Sequence, residues 1–232
     1  MAITFDAVAS SVGTVVSSIT YSHTVGVGAN TILMAQPGVA DAIAGAASIS
    51  SVTYAAVTMT LVPSSTQTFT LAGVFDCIVA HYSLVAPATG ANDVVFTASE
   101  SCDNLACGTQ SWFGVHQGSS LGAAAINTGS SSQPSVAVTS AVGEIVVAST
   151  IAVDDLGAFA SADTERWEQA GGAGQGVFGG ASQVGAASVT MDWTGGSATL
   201  EWGCSGVSLK PHIGFGPLIA GQRNRHVLYA RA

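Results

Sequence analysis

The chain has 232 residues, 48% of them hydrophobic and only 8% charged, with a formal net charge of −9. That apolar content excludes intrinsic disorder, which needs low hydrophobicity and high net charge, and it is enough for one large β-sandwich core without metal or disulfide staples. Mean hydropathy is positive, +0.48, yet no apolar run approaches the ~18 residues of a spanning helix, and the few, scattered aromatic residues form no girdles of a membrane barrel.

In chain order the elements read as short strands with period-2 alternation. Met1-Ala2-Ile3-Thr4-Phe5-Asp6 has neither a basic start nor an apolar segment, so no secretory leader is expected. Ile3–Phe5 opens a strand; Ile19-Tyr21-His23-Val25 forms a second. Thr31–Gln36 forms a third, closed by Pro37-Gly38. Val39–Ala47, short and Ala-rich, is the one helix candidate and could equally be a loop. Val52–Tyr54, Val57–Leu61, Gln67–Leu71, Val74–Val85, Asp93–Ala98 and Trp112–His116 follow as strands. Ser119–Gln133 reads as a loop crossing, and Gly171–Gly180 as a flexible loop. Pro134–Thr139, Glu144–Ile151, Arg166–Gln169, Ala187–Trp193 and Ala198–Leu209 complete the set. Roughly a dozen short strands with frequent turn signals predict an all-β fold, an antiparallel β-sandwich of jelly-roll type over residues 1–211.

Beyond Lys210-Pro211 the character changes. Arg166 is the only cation among residues 1–209, which hold all fourteen acids and carry −13, whereas residues 210–232 carry +4. Residues 212–232 are therefore expected to form an arm that packs on a partner or a neighbouring subunit through Phe215, Leu218, Arg223, Arg225, Val227, Tyr229 and Arg231. Three arginines on a net anionic chain make a poor footprint for nucleic acid.

Catalytic patterns are missing. Gly195-Gly196-Ser197-Ala198-Thr199 lacks the closing glycine of a nucleophile elbow. His23, His81 and His116 fall inside strand alternation, where a lone histidine reads as a structural residue rather than a base. Asp154-Asp155, Glu165/Glu168, Asn92-Asp93 and Asp103-Asn104 read as solvated loop charges. The Gly171–Gly180 stretch lacks the Lys-Ser/Thr ending of a phosphate loop. No enzyme, cofactor or metal is expected. Cys77 and Cys204 lie in apolar runs. Cys102 and Cys107 flank Asp-Asn-Leu-Ala in what reads as a loop, either as a local disulfide or as two free thiols. Trp167, between Arg166 and Glu168, is the candidate for an exposed glycan contact.

Several stretches carry a family likeness: Ile3-Thr4-Phe5-Asp6-Ala7, Ser18–Gly26, Ser51-Val52-Thr53-Tyr54, Met59-Thr60-Leu61-Val62, Tyr82–Gly90, Thr164-Glu165-Arg166-Trp167, Ala187–Met191 and Gly206–Pro211. The series resembles a loosely defined family of β-sandwich proteins of tailed bacteriophages and of bacterial surface or secreted proteins, over about residues 3–211. The resemblance implies an extracellular or particle-surface jelly roll and transfers no catalytic residue. The arm after Pro211 and the Cys102–Cys107 stretch depart from it. Together these features lead to the expectation of a non-enzymatic virion protein, a capsid decoration (cement) protein or head fibre, at the capsid surface and extracellular after host lysis. Its partners would be the major capsid protein or neighbouring copies, in a homo-oligomer such as a trimer, with no nucleic acid and no membrane. A carbohydrate-binding or adhesin module, including a tail receptor-binding component, is the alternative.

Overall fold

The computed structural model describes residues 1–42, 47–71, 75–152, 160–161, 163–172, 176–194 and 201–213. These residues contain strands and no helix. The strands are β1 (Thr4–Val25), β2 (Ile32–Asp41), β3 (Ile49–Tyr54), β4 (Val57–Thr58), β5 (Thr60–Leu61), β6 (Gln67–Leu71), β7 (Phe75–Val79), β8 (Tyr82–Val85) and β9 (Gly90–Phe113). They continue with β10 (Ala125–Ser130), β11 (Ser135–Thr139), β12 (Ile145–Ala152), β13 (Ala160–Ser161), β14 (Thr164–Ala170), β15 (Val177–Val184), β16 (Ser188–Thr194) and β17 (Glu201–Leu209).

Every pairing is antiparallel, as expected for a β-sandwich. The largest sheet runs β4-β3-β9-β2-β7-β6, with β1 on β9, β8 on β2 and β5 on β8. A five-stranded sheet runs β10-β17-β12-β15-β14, and a three-stranded one β11-β16-β13. The frame of the large sheet is the ladder between β1 and β9, in register from Thr4↔Phe113 to Val25↔Gly90. Between Val16↔Cys102 and Ser18↔Thr97 the first strand advances two residues and the second five. That irregularity, beside Val15 with its φ of 55°, bends the ladder and helps the sheet curl.

Period 2 explains the layers. In β2, Leu33, Ala35 and Val39 face the hollow of the curled sheet, with Ile19, Tyr54, Phe96 and Leu105. Ile32, Met34 and Ala40 face the other way, onto Val147, Ile151, Phe178, Val207 and Leu209 of the five-stranded sheet. That sheet in turn packs its far side, through Val146, Ala148, Trp202 and Cys204, against Val136, Val138, Met191 and Trp193 of the three-stranded one. Strands covered on both faces cannot show a polar outer row. All of β2 is buried, and so are all of β12 and β17 but their first residues.

Strand boundaries differ from the expected ones in three places. The strand beginning at Thr31 does not stop at Pro37-Gly38 but continues to Asp41, which also removes Val39–Asp41 from any helix; residues 43–46 lie outside the described set. Proline fits because β2 changes partner there, from β8 at Ile32–Ala35 to β7 at Gly38–Asp41, so no ladder donor is needed on that side. Its carbonyl accepts Ala80 N at 3.2 Å. Gly171–Gly180 is no loop at its second half, since β15 starts at Val177 and sits inside the five-stranded sheet. Ser119–Gln133 likewise contains an edge strand, β10.

Candidate functional site

Among the described residues, three buried polar groups bring hydroxyl, imidazole or amide side chains together. In the first, Ser111 Oγ donates to Asp6 Oδ2 at 2.7 Å, and Gly26 N donates to the same oxygen at 2.8 Å. His23 Nε2 lies 3.1 Å from Ser111 Oγ, and its Nδ1 3.0 Å from Thr109 Oγ1. A nucleophilic triad orders serine, histidine and carboxylate so that the histidine takes the serine proton. Here the serine gives its proton to the carboxylate and accepts from the imidazole, so the hydroxyl is pinned instead of activated. Ser111 and Thr109 are fully buried and His23 nearly so. Burial pushes His23 down to about 4, against the pull of the Asp6 carboxylate.

The second group joins the two large layers. His81 Nε2 lies 3.1 Å from both Ser205 O and Ser149 Oγ, while Ser205 Oγ donates to Ser65 O at 2.6 Å. Burial pushes His81 down to about 4, opposed by the Ser205 carbonyl. In the third, Gln36 Oε1 accepts from Trp167 Nε1 at 2.7 Å and from Gln110 Nε2 at 2.9 Å, and Gln36 Nε2 donates to Ala148 O at 3.0 Å. The first group ties β1 to β9 inside the large sheet, and the other two tie that sheet to the five-stranded one. His23 lies on β1, whereas His81 and His116, read as strand residues, stand outside the strands, His81 between β7 and β8. Among the described residues no three His, Cys, Asp or Glu side chains are placed to hold a metal ion.

Trp167 is not the exposed residue that its charged neighbours suggest. It is 5% exposed and fills the space between Gly108 and Gly180, where an added Cβ would collide with the indole. A bulge between Glu165 and Trp167 explains the misreading. Regular alternation would send Arg166 and Trp167 to opposite faces, but the bulge aims both at the large sheet. The Arg166 guanidinium stacks 3.9 Å from the centroid of Phe5, and its Nε donates to Ser182 Oγ at 2.8 Å. Trp112, Trp193 and Trp202 are buried as well, so no tryptophan offers a glycan a stacking surface.

Cys102 and Cys107 are corrected too. They lie on β9, not in a loop, in an unbroken register with Val16 and Ser11. Five extended residues separate them by about 16 Å at ~3.3 Å per residue, far beyond the reach of a disulfide. All four cysteines are buried free thiols. Burial pushes Cys77, Cys107 and Cys204 up to about 12 and Cys102 to about 11, with Asp76 and Glu201 adding to the effect at Cys77. A thiol reagent at pH 8 should therefore leave the folded chain unmodified and titrate four thiols after unfolding. A count of two after unfolding without reductant would restore the disulfide.

The acidic candidates are mostly strand residues. Asp93, Asp103 and Asn104 belong to β9; Asp103 Oδ2 accepts Ala42 N at 2.8 Å and Asn104 Oδ1 accepts Gly172 N at 3.0 Å. Glu165 and Glu168 sit on β14. Asp154 and Asp155 lie outside the described residues, as do Phe215, Leu218, Arg223, Arg225, Val227, Tyr229 and Arg231 of the arm.

What the sequence reading missed is a surface feature at the end of the sandwich where the described chain stops. A depression of about 480 Å³ is walled by Ile3, Glu144, Ile145, Val184, Pro211 and Ile213. A second of about 340 Å³ adjoins it, sharing Glu144, Pro211 and Ile213 and extending to Val142, His116 and Lys210. Hydrogen bonds brace the walls: His212 N to Gly114 O at 2.7 Å, Lys210 N to Ser120 O at 2.8 Å and Gly185 N to Glu144 O at 2.8 Å. Val142, Val184 and Ile213 are 91%, 70% and 71% exposed, a cluster of large apolar side chains in water. One sequence signal was available: a valine inside the turn Ala141-Val142-Gly143, where turn chemistry favours polar residues. No family model, curated protein or solved structure matches this chain.

Proposed function

We propose that this chain is a non-catalytic structural protein of a tailed-bacteriophage particle, a capsid decoration protein or head fibre, that attaches through the sandwich end where Pro211–Ile213 lead into the cationic segment. The observation that carries the proposal is the exposed apolar double groove at that end. The buried networks support it as well, because they commit Ser111 and His23 to the interior of the large sheet and His81 to its contact with the five-stranded one. The sequence likeness over residues 3–211 points to the particle surface. The glycan alternative loses the residue that motivated it, since Trp167 is enclosed.

In this reading the layered body presents a hydroxyl-rich exterior with few charges, nearly all of them acidic. The arm and groove contact the major capsid protein or neighbouring copies, stabilising the lattice by mass action. The test is co-sedimentation of the purified full chain with heads of the phage that encodes it. The wild type is expected to travel with the heads at a fixed copy number. The triple variant Arg223→Glu/Arg225→Glu/Arg231→Glu should remain at the top of the gradient, and high salt should weaken wild-type attachment. A wild-type chain that never travels with heads would overturn the capsid role.

A further inference from the structure

We infer that neighbouring copies of this chain exchange their C-terminal segments, the apolar residues Phe215 and Leu218 of one copy filling the Ile3–Ile145–Val184–Ile213 groove of the next. The inference rests on the proposed assembly role and names the partner at that site.

Three observations support it. The described chain ends in the wall of the groove itself, at Ile213, and nineteen residues follow. Fully extended, they span about 63 Å at ~3.3 Å per residue, ample to reach a second molecule. Those residues include Phe215, Leu218, Ile219, Val227, Leu228 and Tyr229, the composition an apolar groove with three exposed aliphatic side chains would take up. The charges are also complementary. Arg223, Arg225 and Arg231 follow the apolar front, and they would meet a neighbouring body whose residues 1–209 carry −13. Glu144 stands in the wall common to both depressions, with Lys210 only in the smaller one.

A neighbouring copy is a better occupant than the chain's own segment. Phe215 and Leu218 are two and five residues from Ile213, which is part of the wall to be covered. To cover that wall from its own copy, the chain would have to fold back within two to five residues of Ile213. Exchange also fills one groove per copy, and a reciprocal pair or a closed ring leaves none open.

The test uses full chains and light scattering after size exclusion. The wild type should show two or three times the chain mass. Val184→Asp spoils the groove at a residue exposed enough to leave the fold intact. Phe215→Ser/Leu218→Ser spoils the segment. Each should weaken association by about thirtyfold or more, the effect of losing a central hot spot, with an unchanged melting temperature. Mixing the two variants should restore complexes containing both, because one still has a groove and the other a segment. A monomeric wild type, association surviving in either variant, or a mixture that stays monomeric overturns exchange. Attachment to heads is read separately by co-sedimentation, so a monomer that still travels with heads refutes this inference and spares the structural role.

Discussion

Replacing Trp167 by alanine is expected to lower the free energy of unfolding by about 3–5 kcal/mol, the cost of emptying a large aromatic site in a packed interior. The indole is enclosed between Gly108 of the large sheet and Gly180 of the five-stranded one. Its removal also takes away one of the two donors to Gln36 Oε1. The two glycines make the effect separable. In the wild type, Gly108→Ala should cost about 1–3 kcal/mol through overpacking, since its Cβ would collide with the indole. In the Trp167→Ala background that collision is gone, and the same substitution should be nearly neutral. The coupling falls in the range for residues in direct contact, about 0.5–3 kcal/mol. Urea unfolding curves at constant slope check both numbers. A Trp167→Ala chain within about 1 kcal/mol of wild type, or a Gly108→Ala cost equal in both backgrounds, would show that the indole does not join the layers.

Lowering the pH from 7 should destabilise the fold well before most carboxylates protonate. His23 and His81 are held near 4 in the folded chain, against an ordinary value of 6.5. Between those values the unfolded chain binds protons that the folded chain refuses, so the equilibrium moves towards unfolding as pH falls. The sign is therefore full stability above pH 6.5, a decline through the interval, and a plateau for these two groups below 4. Each histidine contributes about 1.4 kcal/mol per pH unit in the middle of the interval. Asp163 acts in the opposite direction, because burial raises its carboxyl and protonation there favours the fold. His81→Gln should lower stability at pH 7, since a flexible amide fills the buried imidazole site less well, yet roughly halve the slope between pH 6 and pH 5. Chemical denaturation at several pH values reads this directly. A stability that stays level from pH 6.5 to 4.5, or a slope that His81→Gln leaves unchanged, would mean that neither imidazole is held neutral by the interior.

How much of this was legible in the sequence depends on how many faces of a strand are covered. Over Ile19–Val25 one face is buried and the other open, and alternation reads correctly: Ile19, His23 and Val25 are inside, with Thr20, Ser22 and Thr24 exposed. In β2 and β15 both faces are covered, so the periodic signal vanishes. Pro37 and the glycines near Gly180 then read as punctuation, whereas Gly38 and Gly180 leave room for the rings of Phe178 and Trp167. Trp167 was misplaced because a bulge is invisible to alternation. Cys102 and Cys107 were misplaced because Asp103 and Asn104 resemble loop residues, when their side chains receive backbone donors from Ala42 and Gly172. The candidate site was least legible. Its walls come from four separate stretches, around residues 3, 144, 184 and 211, and no local pattern records that they meet.

The ladder between the first strand and its partner sets a condition on biosynthesis. Thr4 must wait for Phe113 and Val25 for Gly90, so during translation the first strand emerges long before anything it can pair with. At ~5–20 residues per second, the 64 residues between Val25 and Gly90 take several seconds, with Val8, Val12 and Ile19 uncovered meanwhile. A nascent chain with such distant first contacts folds slowly and depends on whatever shields its leading strand.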